Sequence, residues 1–548
     1  MPVDLVVGLV PRMAPSKKLF AITACFFITT SILFTRSEIT NSKWNPRPNP
    51  AKQGHWGPLI KLGLVPVAAA VLPHSGQVLL WSADQGDVFQ GKTGDPDTTL
   101  TALYDPKTTK VTEPVLSNLQ HGMFCPGMSM DYEGRLMVTG GKTAARTSRY
   151  SEVSRVWMSG TNLTIGRGYH SQTTLSTGNT FTIGGSWSGG VGGENAELKN
   201  GEMFDVEKNA WVKLPGCKVG AMLTDGKVLG AFESDNHAWL FAWKNGSVFQ
   251  AGPARAMNWF NTHGAGDTIS ARSRALDADS MNGNAVMYDA SQGKILTLGG
   301  APSYKLSHAT NAAHLITLGA AYALPKVEEL RQMYYPRAYA NSVVLPTGDV
   351  FVSGGVSYAM QWEEKNATLV PELWSPQTRR YTKLARMEIP RAYHSIAVLL
   401  PDATVLTGGG GLCYITCEDE TVNHMDLQIF TPPYLFKRNG RGLAVRPKIM
   451  FANASVAVGK RLVVTTDVVV NNISLVRFGS ATHSINTDQR RIALSPILLL
   501  SDNGNDEEWT YEVWVPDNTG VALPGYWMLF AMDGEEVPSV GRTVHIMG

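Results

Sequence analysis

Short apolar runs that end in a pair of glycines recur along most of this chain. In each unit a turn residue, Gly or Asp, precedes an apolar run that ends about six residues later, usually at Gly-Gly. Runs of this length between turn residues predict short β-strands joined by tight turns. The seven units are SGQVLLWS (75–82), EGRLMVTGG (133–141), TGNTFTIGG (177–185), DGKVLGAF (225–232), QGKILTLGG (292–300), TGDVFVSGG (347–355) and PDATVLTGGG (401–410).

The spacing of these units predicts a ring of sheets. Successive units begin 44 to 67 residues apart, enough for one four-stranded sheet each. Seven such sheets close into a β-propeller with kelch-like repeats. A loose collection of hairpins is the alternative, and it gives no reason for seven units to share one phase.

The glycine pairs stop after about residue 432, and a different strand pattern follows. RLVVTTDVVV, SLVRFG, IALSPILLL, TYEVWVP and YWMLFAM are short apolar strands separated by polar turns. This pattern is typical of an antiparallel sandwich. The sequence therefore predicts an all-β protein, with a seven-bladed propeller over 55–432 and an immunoglobulin-like sandwich over 433–548.

Residues 1–54 have the pattern of a targeting segment and a Pro-rich linker. Lys17 and Lys18 precede a sixteen-residue apolar run, 19–34. That run is short for a membrane span of roughly 20 residues and long for the core of a signal peptide. A cleaved secretory signal and an uncleaved membrane anchor both remain open, and either places the body outside the cytoplasm. N-glycosylation sequons fit export as a glycoprotein; they lie at Asn162, Asn245, Asn366, Asn453 and Asn472.

Composition supports the fold and excludes some partners. The chain has 54 Gly, 30 Pro and 43% hydrophobic residues, which suits a turn-rich all-β protein. A net charge of +2, with 17% charged residues, gives no reason to expect nucleic-acid binding. No phosphate-binding glycine loop or dinucleotide fingerprint stands beside a suitable strand and helix.

Five cysteines are few for an exported chain of this size. Cys413 and Cys417 are close enough in CYITC to form a small disulfide loop. A zinc site would need two more soft ligands, and only His424 is local. Cys217 is either a buried free thiol, which we expect, or a thiol that competes with Cys125.

One position in the repeat collects residues with metal and redox chemistry. It lies fifteen residues before the end of each apolar run and holds Val67, Cys125, Tyr169, Cys217, Asn284, Tyr339 and Tyr393. Equivalent positions of propeller blades converge on the central channel. Taken alone, a tyrosine here is a structural rim residue. A thiol and two phenols together, with His394 adjacent to Tyr393, can bind a metal and transfer electrons.

At this point a specific resemblance can be stated. From about residue 55 to its end, the chain resembles galactose oxidase and its fungal relatives, the copper radical oxidases. The segments that carry the resemblance, in the family's order, are HGMFCPG, GRGYHS, FTIGGSWSGG, SDNHAWLF, GNAVMYDA, RAYHSIAVLLP, GGGGLC, SATHSINTDQRR and ALPGYWMLF.

The resemblance implies a copper centre built from this chain's own residues. One copper ion would be bound by Tyr169, Tyr393, His394 and His483. It also implies a thioether between Cys125 and the Tyr169 ring, which makes a protein-derived Cys–Tyr radical cofactor. Trp187 is expected to stack over that radical and shield it from solvent. His483 would come from the second domain.

The implied reaction oxidises a primary alcohol to an aldehyde and reduces O₂ to hydrogen peroxide, without an organic cofactor. Tyr169 would remove a hydrogen atom and Tyr393 would act as general base. We expect a monomer with small-molecule partners only. Alternatives are a glyoxal-oxidase-type aldehyde oxidase, a non-catalytic kelch binding protein, and a glycosidase using Glu233 and Asp235.

The substrate pocket departs from the galactose oxidase pattern at three positions. Glu233 stands where the family's sugar-binding Arg is expected, Lys305 where Gln is usual, and Trp362 where Phe is usual. A carboxylate cannot replace an Arg fork toward sugar hydroxyls, although Glu233 and Lys305 alternatively only pair with each other. We expect aryl or aliphatic alcohols rather than galactose. The pocket residues are Phe89, Trp187, Glu233, Tyr304, Lys305 and Trp362.

Overall fold

The structure is a computed structural model that describes residues 49–89, 97–189, 199–225, 233–414, 420–499 and 508–548. Seven small antiparallel sheets, called blades 1 to 7 in chain order, form a propeller. The first strand of blade 7 lies against that of blade 1, so the ring closes. A two-sheet sandwich follows. The predicted fold class is confirmed.

The strands of the first four blades are given from the channel outward. Blade 1 contains Ala68–Val71, Val78–Trp81, Leu100–Asp105 and the short edge strands Lys110–Val111 and Val115–Leu116. Blade 2 contains Gly127–Met130, Leu136–Thr139, Thr147–Ser151 and Val156–Ser159. Blade 3 contains Ser171–Thr174, Thr180–Ile183, Glu202–Asp205 and Ala210–Lys213. Blade 4 contains Leu240–Ala242, Ser247–Gln250, Ala256–Asn261 and Asp267–Ser273.

The last three blades follow the same order, and the amino-terminal strand completes the ring. Blade 5 contains Asn284–Asp289, Lys294–Leu298, Ala313–Thr317 and Lys326–Glu329. Blade 6 contains Ala338–Val344, Val350–Val356, Glu372–Ser375 and Arg380–Lys383. Blade 7 contains Ser395–Leu399, Val405–Gly409, Asp426–Thr431 and His55–Lys61. Because its outer strand comes from the other end of the propeller, blade 7 joins the two ends of the ring.

The fourth predicted repeat was placed wrongly. Residues 226–232 lie outside the described residues, and blade 4 instead uses Leu240–Ala242 and Ser247–Gln250 as its inner hairpin. The apolar run SVFQA (247–251) is therefore the fourth repeat's equivalent of the apolar runs in the other units. It lacks the Gly-Gly pair, which explains why the pattern missed it.

A buried arginine links adjacent strands in three blades. Arg167, Arg337 and Arg391 stand two residues before the tyrosine in each Arg-x-Tyr segment. Each donates from Nη1 to a carbonyl of its own blade's Gly-Gly pair, at 2.8 to 2.9 Å. Each also pairs with an acidic side chain, and the partners are Glu202, Glu372 and Asp426. This contact explains why Arg-x-Tyr and Gly-Gly recur together.

The sandwich has two sheets. One contains Ile449–Ala452, Arg461–Thr466, Trp509–Trp514 and Ile497–Leu498. The other contains Ser455–Ala457, Arg542–Met547, Gly525–Met532, Asn472–Arg477 and Arg491–Leu494. All residues from Pro48 to Gly548 form one compact unit, so the domain boundaries 55–432 and 433–548 stay predictions.

A hairpin from the sandwich side enters the propeller, and the strand pattern did not predict it. Ser480–Thr482 pairs antiparallel with the innermost strand of blade 1, with Ala68 opposite Thr482. Ile485–Thr487 forms the return strand. The loop that follows also contacts blades, because Asp488 accepts from Thr173 Oγ1 at 2.8 Å and Gln489 Nε2 donates to the Ser342 carbonyl at 3.0 Å. The hairpin therefore lies against several blades.

The remaining elements are short. Two-stranded pairs join Val88–Phe89 to Cys413–Tyr414 and Ser307–His308 to Tyr358–Ala359. The helical elements are Pro50–Gln53 and the 3₁₀ turns Val219–Met222, Lys244–Gly246, Glu420–Val422 and Pro433–Leu435. In the described part of the chain no helix has the length and hydropathy to span a membrane. The apolar run 19–34 lies outside the described residues.

Breaking one buried ion pair should destabilise the propeller strongly. Glu372→Ala leaves the Arg337 guanidinium fully buried without its carboxylate, so we expect about 3–5 kcal/mol lower unfolding free energy in urea. Glu328→Ala removes an exposed pair with Arg379 and should cost less than about 1 kcal/mol. Equal losses in the two variants would contradict a special role for the buried pair.

Candidate metal centre

The residues predicted to form the centre converge in the structure. Cys125, Tyr169 and Tyr393–His394 immediately precede the innermost strands of blades 2, 3 and 7. His483 lies at the turn of the inserted hairpin. All five side chains are buried. Three blades and the hairpin thus bring four polar ring systems and one thiol to the same point in the channel.

The distances define a compact donor set. Tyr169 Oη lies 2.6 Å from Tyr393 Oη, and Cys125 Sγ lies 3.5 Å from His483 Nε2. One ligand atom each from Cys125, His394 and His483 lies within 4.8 Å of the others. The His394 and His483 rings are almost perpendicular, at 85°, with centroids 4.7 Å apart.

The backbone at the centre is strained. Cys125, Tyr169, His394, His483 and Ser484 all have positive φ, between 48° and 68°. This region costs a non-glycine residue about 1–2 kcal/mol. His483 and Ser484 together form a two-residue hairpin turn with both φ values positive, the type I′ geometry that normally selects Asn-Gly. Strain of this kind is characteristic of functional sites.

Both histidines direct one nitrogen toward the centre. His394 Nδ1 donates to the Gly411 carbonyl at 2.6 Å, and burial lowers its pKa to about 3. Its Nε2 is buried and has no hydrogen-bond partner. His483 Nδ1 lies 2.7 Å from Thr482 Oγ1, and burial lowers its pKa well below the usual value. Both rings are therefore neutral, and the unpartnered Nε2 of His394 carries a lone pair that can bind a metal.

The two Tyr-His-Ser copies are used differently. In the copy at 393–395, His394 has positive φ and its ring faces the centre. In the copy at 169–171 it is Tyr169 that has positive φ. His170 instead packs between blades, with its Nε2 at 2.9 Å from Thr139 Oγ1. The motif therefore brings its tyrosine to the centre in both copies, but its histidine only in the copy at 393–395.

Cys125 and Tyr169 are in contact. Burial raises the pKa of the Cys125 thiol well above its usual value, and its hydrogen bond with Tyr169 offsets only part of that shift. Burial also raises the pKa of Tyr169, and the nearby Cys125 and Tyr393 raise it further. The Tyr169 amide donates to the Cys125 carbonyl at 2.8 Å. Both side chains are thus neutral neighbours held by the backbone.

Trp187 contacts Tyr169 but does not stack on it, contrary to our expectation. The ring centroids are 4.9 Å apart at an angle of 75°, an edge-on contact. The indole packs instead against the Gly168 backbone, where a Cβ would approach it to 2.9 Å. Gly168 also bridges Ser186, so the backbone on both sides fixes the edge-on orientation.

Aromatic side chains form one wall beside the centre. Phe89 stacks on Phe124 at 4.8 Å and approaches Trp362 at 6.0 Å. Trp362 meets the Tyr393 ring at 5.8 Å. Sequence reasoning missed Phe124, although it lies in HGMFCPG and its ring meets His394 at 5.4 Å. Phe89 and Trp362, two of the predicted pocket residues, therefore lie beside the centre.

Tyr304 lies beside the centre, and Glu233 and Lys305 lie near each other. Glu233 is 8% exposed, and burial raises its pKa while Lys305 partly offsets the shift. No ion pair within 4 Å joins Glu233 and Lys305 among the described residues, although Lys305 is near enough to lower the pKa of Glu233. Tyr304 Oη donates to Tyr393 Oη at 3.3 Å. Tyr339 Oη donates to the Tyr304 carbonyl.

His237 was missed because the fourth repeat was placed wrongly. Counting fifteen residues back from the end of SVFQA gives Asn236, next to His237. The His237 ring stacks on His483 at 5.0 Å and 16°, and its Nε2 lies 3.2 Å from Tyr304 Oη. Its amide donates to the Tyr169 carbonyl at 3.0 Å. His237 is therefore the fourth blade's contribution to the channel.

The other cysteines lie apart from this arrangement. Cys217 is a buried free thiol, as expected, and its Sγ donates to the Asn261 carbonyl at 3.3 Å. It does not share the position of Cys125 in its blade, so it does not compete for Tyr169. Cys413 is disulfide-bonded. Its predicted partner Cys417 lies outside the described residues.

Comparisons with known proteins agree with this geometry. A family model described as "Galactose oxidase-like, Early set domain" matches residues 446–546, and one described as "Glyoxal oxidase N-terminus" matches 267–434. A galactose oxidase of Gibberella zeae is 48% identical over 499 residues, which cover 90% of this chain and 70% of that relative. The chain belongs to the galactose oxidase family.

The chain is also similar to an alcohol oxidase and to an aldehyde oxidase. A solved structure described as a "novel fungal alcohol oxidase with catalytic diversity among the AA5 family, in complex with copper" has a TM-score of 0.84 and 40% identity, covering 90% of this chain and all of that one. An aldehyde oxidase of Vitis pseudoreticulata is 32% identical over 232 residues, which cover 40% of this chain and 43% of that relative. Similarity to the alcohol oxidase thus extends over much more of the chain.

Neither free thiol should react in the folded, copper-free protein. Burial raises the pKa of Cys217 to about 12 and raises that of Cys125 well above its usual value, so at pH 8 both remain protonated and enclosed. Mass spectrometry after iodoacetamide treatment should find both unmodified in the native protein. Both should be modified after denaturation. Rapid native modification of Cys125 would contradict the described burial.

Proposed function

We propose that this protein is a copper radical oxidase that converts primary alcohols to aldehydes and reduces O₂ to hydrogen peroxide. The observation that carries the proposal is the convergence of two phenols, two imidazoles and a thiol at one buried point. A glycosidase would need two carboxylates that face each other across the channel; of the two candidates, both among the described residues, Asp235 instead accepts from Ser186 Oγ at 2.6 Å. Family membership supports oxidase chemistry.

The residues present fit a copper ion. Tyr169, Tyr393, His394 and His483 would hold it through two phenol oxygens and two Nε2 atoms, a donor set that suits Cu(II). The unpartnered, buried Nε2 of His394 supports this assignment, because an orphan polar atom in the interior needs a partner. When bound, copper supplies a one-electron redox couple and stabilises the phenolate form of its ligands.

Cys125 and Tyr169 would form a thioether. The new bond joins Sγ to a ring carbon, and the thiol hydrogen and one ring hydrogen are lost. That step removes two electrons and two protons, which O₂ accepts to give hydrogen peroxide. The buried contact between the neutral thiol and phenol supports the proposal. Sulfur on the ring lowers the oxidation potential of Tyr169, which can then store one electron hole.

The side chains divide the reaction between them. Tyr393 accepts the hydroxyl proton of the alcohol as general base, and its contact with Tyr304 Oη supplies a hydrogen bond to the phenol oxygen. Tyr169 as a radical removes a hydrogen atom from the alcohol carbon. These two transfers account for two protons and one electron, and the one-electron couple of a bound copper would account for the second electron. O₂ then takes up both electrons and both protons as hydrogen peroxide. Trp187, edge-on to Tyr169, limits access of water to the ring.

The pocket favours flat or apolar alcohols. Phe89, Phe124 and Trp362 form a continuous aromatic wall next to Tyr393. Glu233, without an ion-pair partner within 4 Å in the described part, offers only acceptor atoms when ionised. Aryl and aliphatic primary alcohols should therefore bind better than galactose.

An aldehyde oxidase is the second candidate, because residues 267–434 match the glyoxal oxidase family model. A non-catalytic binding role is not favoured, since the full donor set is buried and mutually in contact. We also propose that the body is exported as a monomer, secreted or anchored through 19–34. Exposed sequons at Asn162, Asn245, Asn366 and Asn472 and the disulfide at Cys413 support export. Asn453 is half-buried and accepts from the Val463 amide.

The mechanism predicts a specific loss of activity in two conservative variants. Copper-loaded protein should produce peroxide from primary alcohols, and Cys125→Ser and Tyr169→Phe should each lower kcat by at least about 100-fold, because the radical store is lost or destabilised. Peroxide formation with alcohol, aldehyde and sugar substrates provides the measurement. Cys217→Ser is the matched control and should keep full activity. Unchanged turnover in Tyr169→Phe would refute the proposed mechanism.

The pocket predicts a change of selectivity at one position. Wild-type protein should have a higher kcat/KM for benzyl alcohol than for galactose. Glu233→Arg should raise the ratio of kcat/KM for galactose to kcat/KM for benzyl alcohol on the order of 10-fold, because charged hydrogen-bond donors then face the sugar hydroxyls. Glu233→Gln should leave the ratio nearly unchanged. Faster wild-type turnover of galactose than of benzyl alcohol would show the substrate prediction to be wrong.

A further inference from the structure

The side chain of Thr482 connects His483 to the propeller. Thr482 Oγ1 donates to the Val67 carbonyl at 2.9 Å, and the same oxygen lies 2.7 Å from His483 Nδ1. A hydroxyl has one proton. Since that proton is used on Val67, Thr482 Oγ1 can only accept from His483, so His483 Nδ1 must carry the ring hydrogen.

This hydrogen bond decides which nitrogen of His483 faces the centre. With hydrogen on Nδ1, the lone pair is on Nε2, which lies 3.5 Å from Cys125 Sγ. His394 reaches the same tautomer through the backbone carbonyl of Gly411. The hydrogen-bond acceptor at Nδ1 is therefore a side-chain hydroxyl for His483 and a backbone carbonyl for His394. A substitution of Thr482 can remove this acceptor while His483 itself stays unchanged.

The surrounding hairpin fixes the backbone but not the ring. Ala68 pairs with Thr482 across the sheet, and Asn284 Nδ2 donates to the Ser484 carbonyl at 2.6 Å. Neither contact involves the imidazole. His483 and Ser484 occupy a turn that disfavours their residue types, so the position of the ring depends on contacts of its own. The Thr482 hydroxyl makes the hydrogen bond at Nδ1.

We infer that Thr482 is a positioning residue that holds His483 in the Nδ1-protonated form and so selects Nε2 as its copper ligand. This inference rests on the proposed copper site. Mutation of a residue that hydrogen-bonds a metal-binding histidine typically weakens metal affinity about 10- to 100-fold. Because Val67 belongs to blade 1, the same hydroxyl also ties the ligand from the sandwich side to the propeller.

Copper affinity of the full-length protein tests the inference directly. Cu(II) binding, measured by competition with a chelator of known affinity, should weaken about 10- to 100-fold in Thr482→Val and stay near wild type in Thr482→Ser. The nitrogen hyperfine pattern in the Cu(II) EPR spectrum should change in the Val variant only. If Thr482→Val does not fold, Thr482→Ser and Thr482→Ala form a second pair that differs only in the hydroxyl.

A double-mutant cycle separates positioning from a general effect on stability. In the His483→Ala background, removal of the Thr482 hydroxyl should no longer change Cu(II) affinity, because its target is gone. Equal affinity in the hydroxyl-containing and hydroxyl-free variants, or the same loss with and without His483, would overturn the inference. Wild-type protein that fails to bind Cu(II) would instead refute the proposed function.

Discussion

The structure depends on one antiparallel pairing between remote parts of the chain. Ser480–Thr482 adds to the innermost strand of blade 1, and this pairing, supported by contacts of the following loop with other blades, brings His483 to the channel. Without it, the centre would keep Tyr169, Tyr393, Cys125 and His394 but lack His483. Backbone hydrogen bonds are well suited to this task because they fix both register and direction. A shift of one residue would direct His483 away from the other side chains.

Buried polar contacts determine the rest of the geometry. The arginine of each Arg-x-Tyr segment holds the segment against the glycine pair of its own blade. The residues that follow are then forced through a sharp bend with positive φ. A fully buried guanidinium without its carboxylate destabilises a fold strongly, so each arginine and its acidic partner stabilise their blade together. Stability of the blades and orientation of the central side chains therefore have the same cause.

The repeat phase allowed much of the fold and site to be predicted from sequence. Cys125, Tyr169 and Tyr393 were located by counting from the glycine pairs, because blades of similar size place equivalent positions on one axis. His237 escaped for a physical reason: blade 4 has SVFQA without a glycine pair, and DGKVLGAF resembles the pattern more closely. The role of His483 came from resemblance alone. No local sequence pattern predicts that a hairpin pairs with a strand more than 400 residues earlier in the chain.

Orientation was beyond sequence reasoning. The edge-on contact of Trp187 follows from the space at Gly168, and the different uses of His170 and His394 follow from local φ values. Such details depend on packing distances of a few tenths of an ångström. Residue type and spacing do not encode them in a form that can be read directly.

Ring closure by the amino-terminal strand imposes an order of assembly. His55–Lys61 can pair only after Asp426–Thr431 has been synthesised. Contacts between such distant segments form slowly, because closing the long intervening loop costs conformational entropy. His483 lies still later in the chain. A nascent polypeptide therefore cannot bring all five side chains of the centre together before His483 has been synthesised and its hairpin has paired with blade 1.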